Sequence, residues 1–160
     1  MKVGIIGSGG REHALCVSLK KSKNISKIYC FPGNAGTKLI AENVDINLKN
    51  FENIKKFIIQ NDIELVVIGP EKPLVDGLTD YLENQKIKVF GPNKLASQLE
   101  GSKIFTKKLC KQYDIPTAKF GFFNNSNDAE NYLNECNLPI VIKADGLAAG
   151  KGVYICNSQS

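Results

Sequence analysis

Short apolar runs alternate with amphipathic stretches through the first hundred residues. Val3–Ile6, Ile28–Phe31, Leu65–Ile68 and Ile87–Phe90 are compact and rich in β-branched and aromatic side chains. Runs of that length and composition predict strands, most of them buried on both faces. Between them, Arg11–Leu19 has helical spacing. A second helix is predicted from about Asn50 to Gln60, with Phe51, Ile54, Phe57 and Ile58 on one face, and a third near Val75–Glu83. Strands alternating with helices in this way predict an α/β domain, an open parallel sheet with helices on both faces.

Each of these strands ends in a glycine turn: Gly7-Ser8-Gly9-Gly10, Pro32-Gly33-Asn34-Ala35-Gly36-Thr37, Gly69-Pro70-Glu71 and Gly91-Pro92. The turns should gather at the carboxyl edge of the sheet, where open α/β sheets bind ligands. The first turn leads from a strand into a helix N-terminus, which suits a phosphate or another small anion. It fails as a dinucleotide fingerprint. Glu12 stands where close helix–strand packing needs glycine or alanine, and the second strand ends without a carboxylate to hold a ribose hydroxyl. A nicotinamide-dependent oxidoreductase is therefore disfavoured. Arg11, Glu12 and Glu71 are the charged side chains expected at this edge. Arg11 offers a planar fork of donors to a phosphate. Glu71, after Pro70, would face an amine or a ribose hydroxyl. Each is otherwise a solvated loop charge. His13 reads as a packing or capping group, and no serine or second histidine completes a nucleophilic triad.

The style changes near Glu100–Ser102. Leu95–Lys103 predicts a helix, a break at Gly101 and a serine N-cap at Ser102. A helix over Lys103–Tyr113 follows, with Lys103, Lys107, Lys108 and Lys111 on a solvated face. Then come an extended run Ala118–Phe123, read as a strand, a turn Asn124–Asn127 and a helix from about Asp128 to Cys136. Two strands expected to be buried, Leu138–Ile142 and Val153–Cys156, flank the loop Lys143–Gly152. This is an α+β pattern. The loop carries exposed backbone N–H groups between Lys143 and Lys151, a composition suited to covering a triphosphate. Its alternative is an ordinary hairpin whose glycines make the turn. It is not a Walker A loop, since Asp145 replaces the first glycine, Gly152 replaces the Ser or Thr, and no helix follows.

At 160 residues the chain has room for one domain and part of another. Its net charge of +5 comes from scattered lysines, which supports a slight pull on phosphorylated metabolites and gives no case for nucleic acid. Cys16, Cys30, Cys110, Cys136 and Cys156 lie far apart among apolar neighbours, so reduced core thiols and a cytoplasmic location are expected. His13 is the one histidine, the opening residues are too short for a signal peptide, and no apolar run would span a membrane. Roughly sixty residues after the boundary are few for an independent core. No acidic cluster follows the loop to hold Mg²⁺. The chain is expected to be part of a longer polypeptide.

Five stretches, Gly7–Leu15, Pro32–Thr37, Gly69–Val75, Leu99–Phe105 and Lys143–Val153, together resemble the phosphoribosylamine–glycine ligase (glycinamide ribonucleotide synthetase) family. These are ATP-grasp enzymes of purine synthesis. The resemblance implies a Rossmann-like N-terminal α/β domain over residues 1–101 and the incomplete start of an ATP-grasp domain over 102–160. It implies that Gly9, Gly10, Arg11, Glu12, Asn34, Gly36 and Glu71 face phosphoribosylamine. Lys107 and Lys143 would contact ATP phosphates, and Gly146, Ala149, Gly150, Lys151 and Gly152 would belong to the flap over them. In the family, ATP phosphorylates the glycine carboxylate and the amine of phosphoribosylamine attacks the acyl phosphate. Glycinamide ribonucleotide, ADP and phosphate result. The adenine-contacting segment and the ligands for Mg²⁺ or Mn²⁺ would lie beyond Ser160. The implied partners are therefore ATP, glycine, phosphoribosylamine and the rest of the ATP-grasp domain, with no nucleic acid or membrane. The chain alone is expected to be inactive. Another ATP-grasp carboxylate–amine ligase, or a non-catalytic sugar-phosphate-binding module, remains the alternative.

Overall fold

The structure, a computed structural model, describes residues 1–148 and 150–158. They fall into two units, Met1–Ser97 and a second from Gln98 onward.

The first unit is built on five parallel strands in the order β3-β2-β1-β4-β5. These are β1 (Lys2–Gly7), β2 (Lys27–Pro32), β3 (Glu42–Asn43), β4 (Leu65–Ile68) and β5 (Val89–Phe90). Alternate residues of the central strands supply two cores. Val3, Ile5, Ile28, Cys30 and Val67 share one with Cys16, Leu15 and Leu19 of α1 (Gly10–Lys20). Ile6, Tyr29, Phe31, Val66 and Ile68 share the other with Ile54 and Ile58 of α2 (Phe51–Gln60) and Leu78 and Leu82 of α4 (Leu78–Asn84). Helices on both faces explain why the strand sequences are apolar throughout. Asn50 caps α2, its Oδ1 accepting from the Asn53 N–H at 3.0 Å.

The helix expected near Val75–Glu83 is two helices. The chain turns at Gly77, with φ of 94°, between α3 (Glu71–Asp76) and α4. That left-handed angle ends one helix and starts the next, which a periodicity count does not register. The two-residue β3 and a turn of 3-10 helix at Thr37–Leu39 carry too little pattern to be anticipated.

The second unit contains α5 (Gln98–Gly101), α6 (Lys103–Gln112), α7 (Ser126–Asn134) and an antiparallel pair, β6 (Ile140–Lys143) and β7 (Val153–Cys156). Three expectations fail here. Ala118–Phe123 forms no strand. Its aromatic rings make side-chain contacts instead: Lys107 Nζ lies 5.1 Å from the centroid of Phe120, Lys108 Nζ 4.9 Å from that of Phe122, and Phe123 packs on Tyr132. The strands around the loop are not buried, since Val141, Ile142, Tyr154 and Ile155 are 45–70% exposed. Apolar residues point to both faces of this two-stranded sheet, and a pair of strands cannot cover itself. Finally, Cys110, Cys136 and Cys156 are half-buried, whereas Cys16 and Cys30 are core residues; all five are free thiols. Among the described residues, no helix is long and apolar enough to cross a membrane.

Ile58 is 1% exposed and belongs to the α2-side core. Ile58→Ala should cost about 2–5 kcal/mol, read as a lower urea midpoint by circular dichroism. A midpoint that does not move would contradict the packing of α2.

Candidate functional site

The strand order reverses at β1. Its chain neighbour β2 lies on one side and β4 on the other, so the connections diverge and leave a crevice beyond the carboxyl ends of β1 and β4. The turn Gly7–Gly10 lines this crevice and leads straight into α1, whose first N–H groups have no partners within the helix. Ser8, Gly9, Gly10 and Arg11 are exposed, and the space beside Gly10 is open.

Glu12 is placed differently from its neighbours. It is 2% exposed, and its Oε2 accepts the Gly9 N–H at 2.6 Å. Its Oε1 has no hydrogen-bond partner. Two glycines make the space for it. A Cβ on Gly69 would lie inside the van der Waals shell of Oε1 and 2.8 Å from Cδ, and one on Gly7 would meet Cγ at 2.6 Å. Glu12 therefore lies beneath the turn and holds it, and is not the solvated loop charge that its alternative reading allowed.

Arg11, one residue earlier, points out across the crevice. Its Nη2 donates to Glu71 Oε1 at 3.0 Å and Oε2 at 3.2 Å, joining the β1 turn to the β4 turn. Glu71 opens α3 directly after Pro70. Its own backbone N–H holds its carboxyl below the usual range, partial burial works the other way, and Arg11 lowers it further. The pair is exposed, so it contributes little to stability and is open to exchange with a ligand. Beside it runs a mainly apolar groove of about 440 Å³ lined by Ala14, Leu15, Val67, Ile68 and Phe90.

The second glycine turn is tied to the first. Asn34 Nδ2 donates to the carbonyls of Ser8 at 2.9 Å and Gly9 at 3.2 Å, while its Oδ1 accepts the Thr37 N–H at 2.9 Å. The buried Thr37 hydroxyl donates to Asn43 Oδ1 at 2.8 Å and accepts the Asn34 N–H at 2.7 Å. Both ends of the Asn34 amide are thus engaged within the protein, where it shapes the site. Gly36 lets the loop approach His13: a Cβ there would come within 3.1 Å of Nε2. Under the same turn, burial and the neighbouring Cys16 push the Cys30 thiol up to about 12, which leaves it unreactive.

In the second unit, Lys143 ends β6 and is exposed, as are Lys151 and Gly150; Gly146 and Gly152 are half-buried. The neck of the loop is closed by the Ala144 N–H donating to the Gly152 carbonyl at 2.8 Å. Ala149 lies outside the described residues. Lys107 is held, with Nζ donating to Thr117 Oγ1 at 2.5 Å and to the Ala118 carbonyl at 3.1 Å. From the sequence alone, Asp145 stands out only as the residue that breaks a P-loop pattern. Its carboxylate accepts from the Ser102 hydroxyl at 3.0 and 3.2 Å and from the Ile104 N–H at 3.2 Å. Slight burial raises its carboxyl, but these bonds, with those from the Gly146 and Lys103 N–H groups, prevail and bring it below the ordinary aspartate range. No local signal links residues this far apart. Among the described residues, no group of three His, Cys, Asp or Glu side chains could hold a metal ion.

Two outcomes are expected. Gly69→Ala should break the Glu12–Gly9 bond and cost about 1–3 kcal/mol. In Glu12→Ala/Gly69→Ala most of the glycine effect should vanish, and equal costs in both backgrounds in a urea double-mutant cycle would refute the wedge. Glu71 should titrate below 4.5 by carboxyl NMR, and in Arg11→Ala it should move up without reaching 4.5, because the helix N–H remains. Since folding lowers this pKa, its contribution to stability is complete above pH 4.5 and is lost as pH falls through the lower folded value.

Two family models cover the chain end to end. "Phosphoribosylglycinamide synthetase, N domain" matches residues 1–100, and "Phosphoribosylglycinamide synthetase, ATP-grasp (A) domain" matches 101–160. The phosphoribosylamine–glycine ligase of Clostridium acetobutylicum is 49% identical over 156 residues, covering 98% of this chain and 38% of its own length. That of Brucella melitensis biotype 1 is 51% identical over 155 residues, covering 97% and 36%. The crystal structure of phosphoribosylamine–glycine ligase from Thermotoga maritima is similar, with a TM-score of 0.76 and 34% identity, over 99% of this chain and 36% of that one. The chain thus spans well under half the length of the relatives it matches. With the N-domain model alone matching residues 1–100, this chain belongs to the phosphoribosylglycinamide synthetase family.

Proposed function

We propose that the polypeptide containing this chain joins glycine to 5-phosphoribosylamine at the expense of ATP. The products are glycinamide ribonucleotide, ADP and phosphate, formed through a glycyl phosphate. Residues 1–101 are its phosphoribosylamine-binding domain, and residues from 102 begin its ATP-grasp domain. The observation that carries this reading is the Arg11–Glu71 pair spanning the β1/β4 crevice beside the free N–H groups of α1.

The division of labour follows from the chemistry of each group. The phosphate of phosphoribosylamine is taken by the Gly9–Gly10 turn, the N-terminus of α1 and Arg11, which together present directed donors to an anion. Glu71, released from Arg11 by that phosphate, accepts hydrogen bonds from the amine or a ribose hydroxyl. Glu12 and Asn34 hold the turn that makes these contacts. In the second unit, Lys107, Lys143, the Lys151 ammonium and the loop N–H groups at Gly150 and Gly152 neutralise the charge that spreads over a phosphoryl group in transfer, while the Gly146 and Lys151 N–H groups hold the loop's own shape by bonding Asp145 and the Ala148 carbonyl. That chemistry needs positioned charge more than a protein nucleophile. Mg²⁺ or Mn²⁺ accompanying ATP would lower the same charge. The described residues offer no ligand set that fits such an ion, and no step above depends on one. The five free thiols suit a reducing cytoplasm.

The test measures ADP release by the complete polypeptide. Release should require glycine and phosphoribosylamine together, and the 160-residue chain by itself should give none. Arg11→Ala should raise the KM for phosphoribosylamine about tenfold or more, the scale of a lost charge-assisted hydrogen bond, with the KM for ATP unchanged. ADP release that ignores glycine would refute the ligase, and an unaltered KM in Arg11→Ala would refute the phosphate site.

A further inference from the structure

Asp145 links the two elements that carry the lysines of the second unit to which an ATP role is proposed. Lys107 is on α6, and Lys143 is the last residue of β6. Asp145 comes two residues after Lys143 and reaches back to the N-terminus of α6. Its carboxylate accepts the Ile104 N–H at 3.2 Å and the Ser102 hydroxyl at 3.0 and 3.2 Å. The Ser102 oxygen in turn accepts the Phe105 N–H at 3.1 Å, so one short relay joins the carboxylate to two first-turn donors of the helix. A second link lies alongside, where Lys103 Nζ donates to the Gly146 carbonyl at 2.9 Å.

A negative charge at the N-terminus of a ten-residue helix is favoured by the helix dipole and by unpaired N–H groups. Asp145 fills that position with a group of the protein itself. Directly beyond it, Gly146 adopts φ of 87° with no atom near its missing Cβ. The chain is anchored at Asp145 and again at the Gly146 carbonyl, while the side of Gly146 that would carry a Cβ is open.

We infer that Asp145 is a positioning residue: by clamping the end of β6 to the start of α6, it fixes Lys143 relative to Lys107. The inference rests on the ATP-phosphate role proposed for those lysines. Two cations held in one frame meet a polyphosphate without first being ordered, so loosening the frame should weaken nucleotide binding and leave the glycine site unaffected.

The test compares Asp145→Asn, Asp145→Ala and Ser102→Ala with wild type in the complete polypeptide. Amide exchange at Ile104 and Phe105, measured without nucleotide, should rise about tenfold in Asp145→Ala, and less in Asp145→Asn, which keeps one acceptor. The KM for ATP should rise about tenfold in Asp145→Ala and by a smaller factor in the other two, with the KM for glycine within twofold of wild type. A merely destabilised protein would lose active fraction and show unchanged KM values. Unchanged exchange at Ile104 and Phe105 would overturn the clamp. Faster exchange with an unchanged KM for ATP would overturn the positioning role. Should Asp145→Ala fail to fold, Ser102→Ala provides the same two readouts with the carboxylate intact. Wild-type protein that releases no ADP would remove the ligase reading, and the exchange measurement would still decide the clamp.

Discussion

Enclosing the Glu12 side chain between Gly7 and Gly69 is the constraint that shapes the carboxyl edge of the first unit's sheet. The β1–β4 register sets Ile6 against Ile68, so the two glycines follow at the same level of adjacent strands. A carboxylate enters there because neither strand carries a side chain at that level. It satisfies the Gly9 N–H, which offsets part of the cost of burying a polar group with one oxygen unpaired. Neighbouring residues on a helix point about 100° apart. With Glu12 directed inward, Arg11 is directed outward over the crevice, where it meets Glu71. The inward residue holds the turn, and the outward one stays exposed over the crevice, paired with Glu71.

The main strands were legible because a strand buried on both faces has to be apolar along its length. The same rule misled at Leu138–Ile142 and Val153–Cys156. There the side chains are as apolar as those of β4, yet the strands pair only with each other and stay exposed. A sequence states which surfaces need cover and is silent on what provides it. Ala118–Phe123 shows the matching error for strand propensity. Its aromatics suit a sheet, but a strand exists only where a neighbour offers hydrogen bonds, and these rings lie against Lys107, Lys108 and Tyr132 instead.

Among the site residues, position was more legible than role. The glycine turns do collect at the carboxyl edge, as alternating strands and helices require. By charge alone Glu12 groups with Arg11 and Glu71 at the edge, although a glycine N-cap with a glutamate three residues on is the spacing of a capping interaction. That spacing was the available signal. Asn34 carried none, because its partners at Ser8 and Gly9 lie across the turn from the preceding strand unit. Asp145 is the extreme case, since its partner Ser102 is 43 residues away.

The departure from a Walker A pattern at Asp145 also has a physical consequence. In a P-loop the glycine-rich segment leads into a helix whose N-terminus receives the phosphates. Here the segment leads into a strand, β7, and the nearby helix N-terminus belongs to α6, already filled by Asp145. A carboxylate there repels a second anion, so the dipole of α6 is unavailable to a nucleotide. In the function proposed above, charge neutralisation would then fall to the lysines and to loop N–H groups beyond Gly146. Replacing a helix dipole with side-chain cations exchanges a fixed donor array for flexible ones, and flexible cations are of use to a transferring phosphoryl group only when something holds their bases apart at a set distance. On the proposed reading, the residue that rules out the one phosphate-binding architecture is thus the residue that would hold the cations of the other in place.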